Sequence, residues 1–402
     1  MGIDVAIIGS GRWGKNHINT VNQNAKNLGI EDIYVCDIDS KKLIQWEDES
    51  LKCFTSIEAL LVDHKPDFAV VATPPETHFE IAQTLLKQGI SVLVEKPIAA
   101  NLSNAELLIQ QAEESNCILS VGVLLRFHSG IKYAGQMLED NEIGDVRSIY
   151  FERHSSRSPT IGADLIDAMG IHAIDTILNL NNENEPNLIS LLSAESSNSQ
   201  VTKCEFLLDY GPEFKAKFSI GWGFENESRI VHIIGSNGAI SIDFSQPFGI
   251  TTIIDNVIHK PISDFEKYPL ELELTHMAKN CTDSSSAKIF PSKTGIINGL
   301  KWSTLAKKEL SKYLATRQSP ARDLKNELHL GCFMGLQIRT VAIMYAVAGV
   351  TGLLYGMNDD SVMSGVFAWA VLSALVSLIW ALSNPENALT CLLYTSDAAD
   401  EL

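Results

Sequence analysis

Positive charge is what this 402-residue sequence has least of: 31 Lys and Arg against 49 Asp and Glu leave a formal net charge of −18. That balance repels nucleic acid unless the few cations gather into a patch, and no basic run occurs. Cysteine is sparse as well, at Cys36, Cys53, Cys117, Cys204, Cys281, Cys332 and Cys391. No Cys-x-x-Cys pair and no His/Cys cluster at metal spacing is formed, so neither a disulfide framework nor a metal site is expected, and free thiols in a reducing compartment are. The amino terminus lacks the basic stretch of a secretory signal, and Gly2 lacks the Ser/Thr pattern of a myristoylation site, so a cytoplasmic location is expected. A chain this long suits two or three domains.

From Ile3 to about Val121, short apolar runs alternate with helical patterns: Val5 to Ile8, Ile33 to Cys36, Phe68 to Ala72, Val92 to Val94 and Leu119 to Val121. That rhythm predicts βαβ units, a parallel sheet and an α/β Rossmann domain over 1–121. From Val146 to Ile258 longer alternating segments such as Lys215 to Ile220 predict a mostly antiparallel open sheet. A turn at Ser236-Asn237-Gly238 separates Val231–Ile234 from Ala239–Ile242. Helical patterns near Ala163 to Leu180, Leu270 to Cys281 and Thr294 to Ala315 complete an α+β domain over 122–317, expected to bind substrate and a second subunit.

Composition changes after Gln318-Ser319-Pro320. Beyond a linker over 318–335, Thr340 to Met357 and Val362 to Leu382 carry no charge and approach bilayer length, which predicts a C-terminal apolar two-helix transmembrane hairpin over 336–383. Lys307, Lys308, Arg317, Arg322, Lys325 and Arg339 precede it and keep the folded domains cytoplasmic by the positive-inside rule. Residues 384–402 read as a disordered tail, and Cys391 to Leu402 resemble the conceptual translation of a sequencing adapter, an artefact. An assembly that kept an adapter also brings in a second origin for the hairpin, a chimeric join; a membrane partner follows only if the hairpin is native.

Gly9-Ser-Gly11-Arg12-Trp13-Gly14 follows a strand and opens a helix, the context of a dinucleotide fingerprint. Gly9 makes the tight turn, Gly11 lets backbone approach a pyrophosphate, Gly14 lets helix pack on strand, and the helix N-terminus with Arg12 and Trp13 meets the phosphates. Asp37 ends the next strand, where an acid accepts two ribose hydroxyl hydrogen bonds. No Arg follows it, Lys41 and Lys42 being the nearest cations, so NAD is favoured over NADP.

Thr73-Pro74-Pro75-Glu76-Thr77-His78 and Glu95-Lys96-Pro97 then follow two further strands, at the sheet edge where ligands bind in open parallel sheets. With Arg126-Phe127-His128 and the late helix from Pro269 to His276, these motifs resemble the Gfo/Idh/MocA family of oxidoreductases over roughly the first three quarters of the chain. The resemblance implies that Thr73, Pro74 and His78 line the adenosine and nicotinamide side and that Glu95 lies near the nicotinamide ribose. It also implies that Lys96 reaches the substrate oxygen after a cis peptide to Pro97, and that Arg126, His128 and Asp175 contact substrate. A homodimer or homotetramer is implied too.

Family members place an Asp four residues before a catalytic His. Here Ala168 holds that position and Asp167 lies five before His172, about 140° around an ideal α-helix rather than about 40°. A bulge, or Asp164, would restore the relay; otherwise His172 is a satisfied core histidine. The leading expectation is an NAD(H)-dependent dehydrogenase of a secondary hydroxyl on a sugar, cyclitol or nucleotide sugar, with Lys96, His172 and Asp167 catalytic. The alternatives are a catalytically silent NAD(H)-binding sensor or scaffold, and a reductase of a non-sugar carbonyl or imine.

Overall fold

The computed structural model describes residues 2–47, 51–159, 163–197, 200–261, 267–283 and 288–318. The chain divides into two units, Met1–Leu314 and Ala315–Leu402, and the architecture below is that of the first. Its opening half is built from β1 (Ile3–Ile8), α1 (Arg12–Leu28), β2 (Ile30–Cys36), α2 (Ser40–Leu43), β3 (Leu51–Phe54), α3 (Ile57–Asp63), β4 (Phe68–Val71), α4 (His78–Lys87), β5 (Ser91–Val94), α5 (Leu102–Glu114) and β6 (Leu119–Val121). After α6 (Ser129–Glu139) come β7 (Val146–Ser155), α7 (Ile171–Leu180), β8 (Leu188–Ser197), β9 (Gln200–Asp209), β10 (Lys215–Trp222) and β11 (Ser228–Gly235). The series ends with β12 (Gly238–Asp243), β13 (Ile250–Ile254), β14 (Val257–His259), α8 (Pro269–Thr282), β15 (Ile289–Phe290) and α9 (Lys293–Gln318).

Among the described residues the first sheet is parallel throughout, in the order β15-β6-β5-β4-β1-β2-β3. Strands covered on both faces need apolar side chains at every position, which is why β4 reads Phe-Ala-Val-Val with each residue buried. One face packs α4, α5 and the start of α9 through Leu85, Leu108 and Ile296. The other packs α1 and α8 through Ile18, Val21, Leu274 and Met277. The chain thus returns late to its first sheet: α8 and β15 lie far beyond the predicted boundary at 121, yet complete that layer. β3 has no counterpart among the apolar runs, because a four-residue edge strand with Lys52 exposed has too little periodicity to be read.

The second sheet runs β14-β13-β12-β11-β7-β10-β9-β8 and is antiparallel except for the β7–β10 pair. One face is covered, so residues alternate: Ala216, Phe218 and Ile220 of β10 are buried with Ile149 and Phe151 of β7 beneath α7 and α9. Trp302, Ala306 and Leu310 of α9 join this second core, so α9 ties together the helix layers of both sheets.

The transmembrane expectation is corrected. Among the described residues no helix is long and apolar enough to cross a membrane. The 336–383 hairpin, the tail over 384–402 and all but the first residue of the 318–335 linker lie outside the described residues.

Candidate active site

The fingerprint turn is built as its glycines require. Gly9 has φ +95°, a conformation open to glycine, and a Cβ on Gly14 would stand 1.8 Å from the Gly9 carbonyl oxygen. Gly11 caps α1 with no side-chain hydrogen bond, and no acid occupies the first turn. The free N–H groups and the dipole of α1 therefore present positive charge to any anion in front of them. A Cβ on Gly11 would meet nothing within 4 Å, so that space is open.

It is one end of a cavity of about 670 Å³ along the carboxyl edge of the first sheet, lined by Gly9, Gly11, Arg12, Trp13, Asp37, Thr73, Pro74, His78, Glu95 and Lys96 among others. Asp37 takes the Ser10 N–H at 2.8 Å, the Ser10 hydroxyl at 2.9 Å and the Asp39 N–H at 2.9 Å. Burial would raise its carboxyl, but these hydrogen bonds and Lys42, 3.7 Å away, hold it below the usual range. About one of its four acceptor positions is left for the cavity. His78 holds the far wall: its Nδ1 and Nε2 lie 2.8 Å from the carbonyl oxygens of Pro97 and Thr73, tying the loops after β5 and β4 together. The open α1 N-terminus, the Asp37 carboxylate and the volume of the cavity fit a dinucleotide.

Glu95 and Lys96 follow β5, and the Lys96–Pro97 peptide is cis. Glu95 Oε1 lies 2.8 Å from Nε2 of the fully buried His17 on α1. Burial would raise the Glu95 carboxyl, but the His17 contact and Lys96 hold it below the ordinary value. Close by on α8, Glu273 is buried with Oε1 unpartnered among the described residues, and burial together with the Glu95 charge pushes it well above the usual carboxylate range.

Lys96 Nζ donates to the Asp167 carbonyl at 2.8 Å and to the Ala168 carbonyl at 3.4 Å. Burial, partly offset by Glu95 and reinforced by Arg153, brings its pKa down to about 8. The carbonyls belong to a π-helical turn, Ile166–Gly170, that leads into α7; the Ile171 N–H reaches back five residues to the Ile166 carbonyl. A turn closed over five residues places Asp167 and His172 one turn apart despite the extra residue. The Asp167 carboxylate nevertheless pairs with Lys307 of α9 at 2.5 Å, and Asp164 Oδ1 accepts the Asp167 N–H at 2.9 Å. His172 is buried, and burial, Lys96 and Arg153 hold its pKa well below that of an ordinary histidine, so the ring is neutral.

Arg126, His128 and Asp175, expected at the substrate, are engaged elsewhere and do not line the cavity. Arg126 Nε donates to both Asp175 oxygens, at 2.9 and 3.1 Å, and Nη1 lies 2.7 Å from Glu183 Oε1. His128 caps α6, accepting the Ile131 N–H at 3.3 Å, with Nε2 2.6 Å from the Gln246 carbonyl oxygen. These groups anchor α6 and α7. His17, Arg153 and Glu273 were not foreseen. His17 follows Gly14 by three residues on the buried face of α1, and Arg153 is a charge at an inward position of an alternating strand; both signals stand in the sequence.

A parallel sheet with a cavity and a part-buried lysine at its carboxyl edge, followed by a second, mostly antiparallel sheet, is the architecture of a two-domain protein with a Rossmann-like first half. Residues 3–123 match the model of the oxidoreductase family with NAD-binding Rossmann fold, the Gfo/Idh/MocA family whose motifs this chain resembles. The UDP-N-acetylglucosamine 3-dehydrogenase of Acidithiobacillus ferrooxidans is 29% identical over 43% of this chain and 52% of its own length. The inositol 2-dehydrogenase of Arthrobacter sp. is 27% identical over the same shares, 43% and 52%. The chain thus matches about half the length of these curated relatives. In fold, the solved A. ferrooxidans enzyme matches 78% of this chain and 99% of its own with TM-score 0.67 at 19% identity. Levoglucosan dehydrogenase, solved with NADH and levoglucosan, has TM-score 0.67 at 14% identity, covering 78% and 98%.

Proposed function

We propose that the protein is an NAD(H)-dependent oxidoreductase that interconverts a secondary hydroxyl and a ketone on a sugar, cyclitol or nucleotide sugar. The observation that carries this reading is Lys96: an amine with its pKa brought down to about 8, at the end of a dinucleotide-shaped cavity, held by two backbone carbonyls. A bound nicotinamide ring would supply the hydride acceptor or donor. Gly11, Arg12 and the α1 N-terminus would hold the diphosphate, Asp37 one ribose hydroxyl, and Glu95 the other end. As a neutral amine, Lys96 spends its two N–H bonds on the Asp167 and Ala168 carbonyls, which leaves its lone pair free for the substrate hydroxyl proton. The neutral His172 is suited to pass that proton on. Asp167 acts in this scheme through its carbonyl, with its carboxylate fixing the π turn to α9. The names of the relatives, which act on a nucleotide sugar and a cyclitol, support the substrate range.

The silent-sensor reading draws support from the Lys307 pairing of Asp167, and one experiment separates the two. NADH fluorescence titration measures binding, and absorbance at the NADH band during a screen of sugars, inositols and UDP-sugars measures turnover. Binding with turnover supports the enzyme; binding with none across the panel supports the sensor. The open face of the second sheet, which exposes Leu188, Leu192, Ile234 and Ile253, is the surface for self-association, and sedimentation would register a homodimer or homotetramer.

A further inference from the structure

The alternation that buries Ile149 and Phe151 on the covered face of β7 puts Arg153 on the same face. There it stands directly opposite Arg229 in the β7–β11 register and beside buried Ile220 in the β7–β10 register. Like charges opposed on one sheet face repel, and a cation drawn away from water among apolar neighbours is costly unless something of opposite sign meets it. Among the described residues no acid forms an ion pair with Arg153, and Glu227, which offsets its charge only in part, is already engaged. Among the described residues the arginine ion pairs belong to Arg126, Arg147 and Arg229. Glu227 is taken by Arg229 at 3.0 Å and by the Ser156 hydroxyl at 3.1 Å. Burial and the surrounding Arg229, Arg157 and Arg12, opposed in part by Glu227, lower the Arg153 guanidinium to about 10, so it stays charged at neutral pH. Ile220, its neighbour across the β7–β10 pair, packs against Gly170 of the π turn, where an added Cβ would stand 3.3 Å from Ile220 Cδ1, so Arg153 lies next to the turn whose carbonyls hold Lys96, and its charge depresses both Lys96 and His172. In a chain of net charge −18, this is a local concentration of cations at the reacting centre.

We infer that the substrate carries an anionic group, a carboxylate or a phosphate, and that Arg153 receives it. The inference rests on the reading of Lys96 as the reacting centre and narrows its substrate class. A guanidinium fork matches both anions in two parallel hydrogen bonds, and Arg157, exposed two residues beyond the end of β7, adds charge for a second phosphoryl group. A neutral cyclitol would leave Arg153 without an ion-pair partner.

The test uses the full chain saturated with NADH and titrated calorimetrically with D-glucuronate, D-glucose 6-phosphate and D-glucose. At least one anion should bind about tenfold or more tightly than glucose. Arg153→Met should erase that advantage while the NADH dissociation constant, read by fluorescence, is unchanged. If the methionine variant fails to bind NADH, Arg153→Lys, which keeps the charge and loses the fork, should still show a partial loss. Glucuronate binding ahead of the phosphate assigns a carboxylate, and the reverse assigns a phosphate or diphosphate. Glucose equal to both anions, no anion binding at all, or an anion preference that survives Arg153→Met would overturn the inference and leave the cofactor reading standing. Failure of the wild-type chain to bind NADH would instead remove the reading beneath it.

Discussion

At Lys96 the chemistry depends on a proton balance that the surroundings have already shifted. Burial sets the amine near 8, so a measurable fraction is neutral at physiological pH without a dedicated base beside it. For hydroxyl oxidation, kcat/KM should climb with pH and level off above about 8; in the reducing direction it should fall over the same range. Lys96→Met should cut turnover about a hundredfold or more and leave NADH affinity nearly unchanged, whereas His172→Ala should cost less. Full turnover by the methionine variant would remove Lys96 from the mechanism. Asp37 answers to a different measurement. Its carboxylate lines the cavity with Lys42 at 3.7 Å, and under the proposed role at the cofactor ribose, Asp37→Ser removes the repulsion of a 2′-phosphate and releases a lysine to meet it. The NADP-to-NAD ratio of kcat/KM should rise by about tenfold or more, as expected when a charged hydrogen-bonding partner changes. An unchanged ratio would place cofactor choice elsewhere.

Individual elements show where sequence reasoning reached the site and where it stopped. Gly9, Gly11, Asp37, His78, Glu95 and Lys96 could be read because each follows a strand, and strand ends in a parallel sheet converge on one edge. The register of Asp167 was legible as a misfit with a bulge or Asp164 as its resolutions; which of them holds depends on which backbone groups find partners, here the carbonyls that face Lys96, and spacing alone does not encode that. Arg126, His128 and Asp175 were expected at the substrate only through the family resemblance, and in the fold Arg126 pairs with Asp175 while His128 pairs with backbone groups. α8 was recognisable as a helix, but its return to pack on α1 is a long-range event with no local signal. That packing buries Glu273. Because its folded pKa is raised, wild-type stability is complete below the unfolded carboxylate value near 4.5 and declines as pH rises toward the folded value. Glu273→Gln should therefore match the wild type near pH 4 and surpass it increasingly above, by at most about 1.4 kcal/mol per pH unit in urea unfolding. A constant difference across pH would mean that Glu273 shares its charge with a partner in the fold.

For the molecule as a whole, the two sheets solve different burial problems, and α9 is the element that serves both. Its first turns pack Ile296 and Leu300 into the first sheet's layer, and the turns that follow pack Trp302, Ala306 and Leu310 into the second. Among the described residues, every buried apolar side chain falls between Ile3 and Leu310. The groups that shape the cavity lie within the same span, as do Lys307, which fixes the π turn, and the strands that carry Arg153 and Arg229. Burial of apolar surface is the main source of stability, so a chain ending after Gln318 retains that source together with the intact α9. Such a truncation should melt cooperatively within a few degrees of the full chain, and bind NADH with the same dissociation constant. Calorimetry and fluorescence titration check the two halves separately. If the truncated chain melts cooperatively but has lost NADH, the cavity needs residues beyond 318. If it fails to melt cooperatively, burial contributed by those residues belongs to the core, and the accounting given for α9 is wrong.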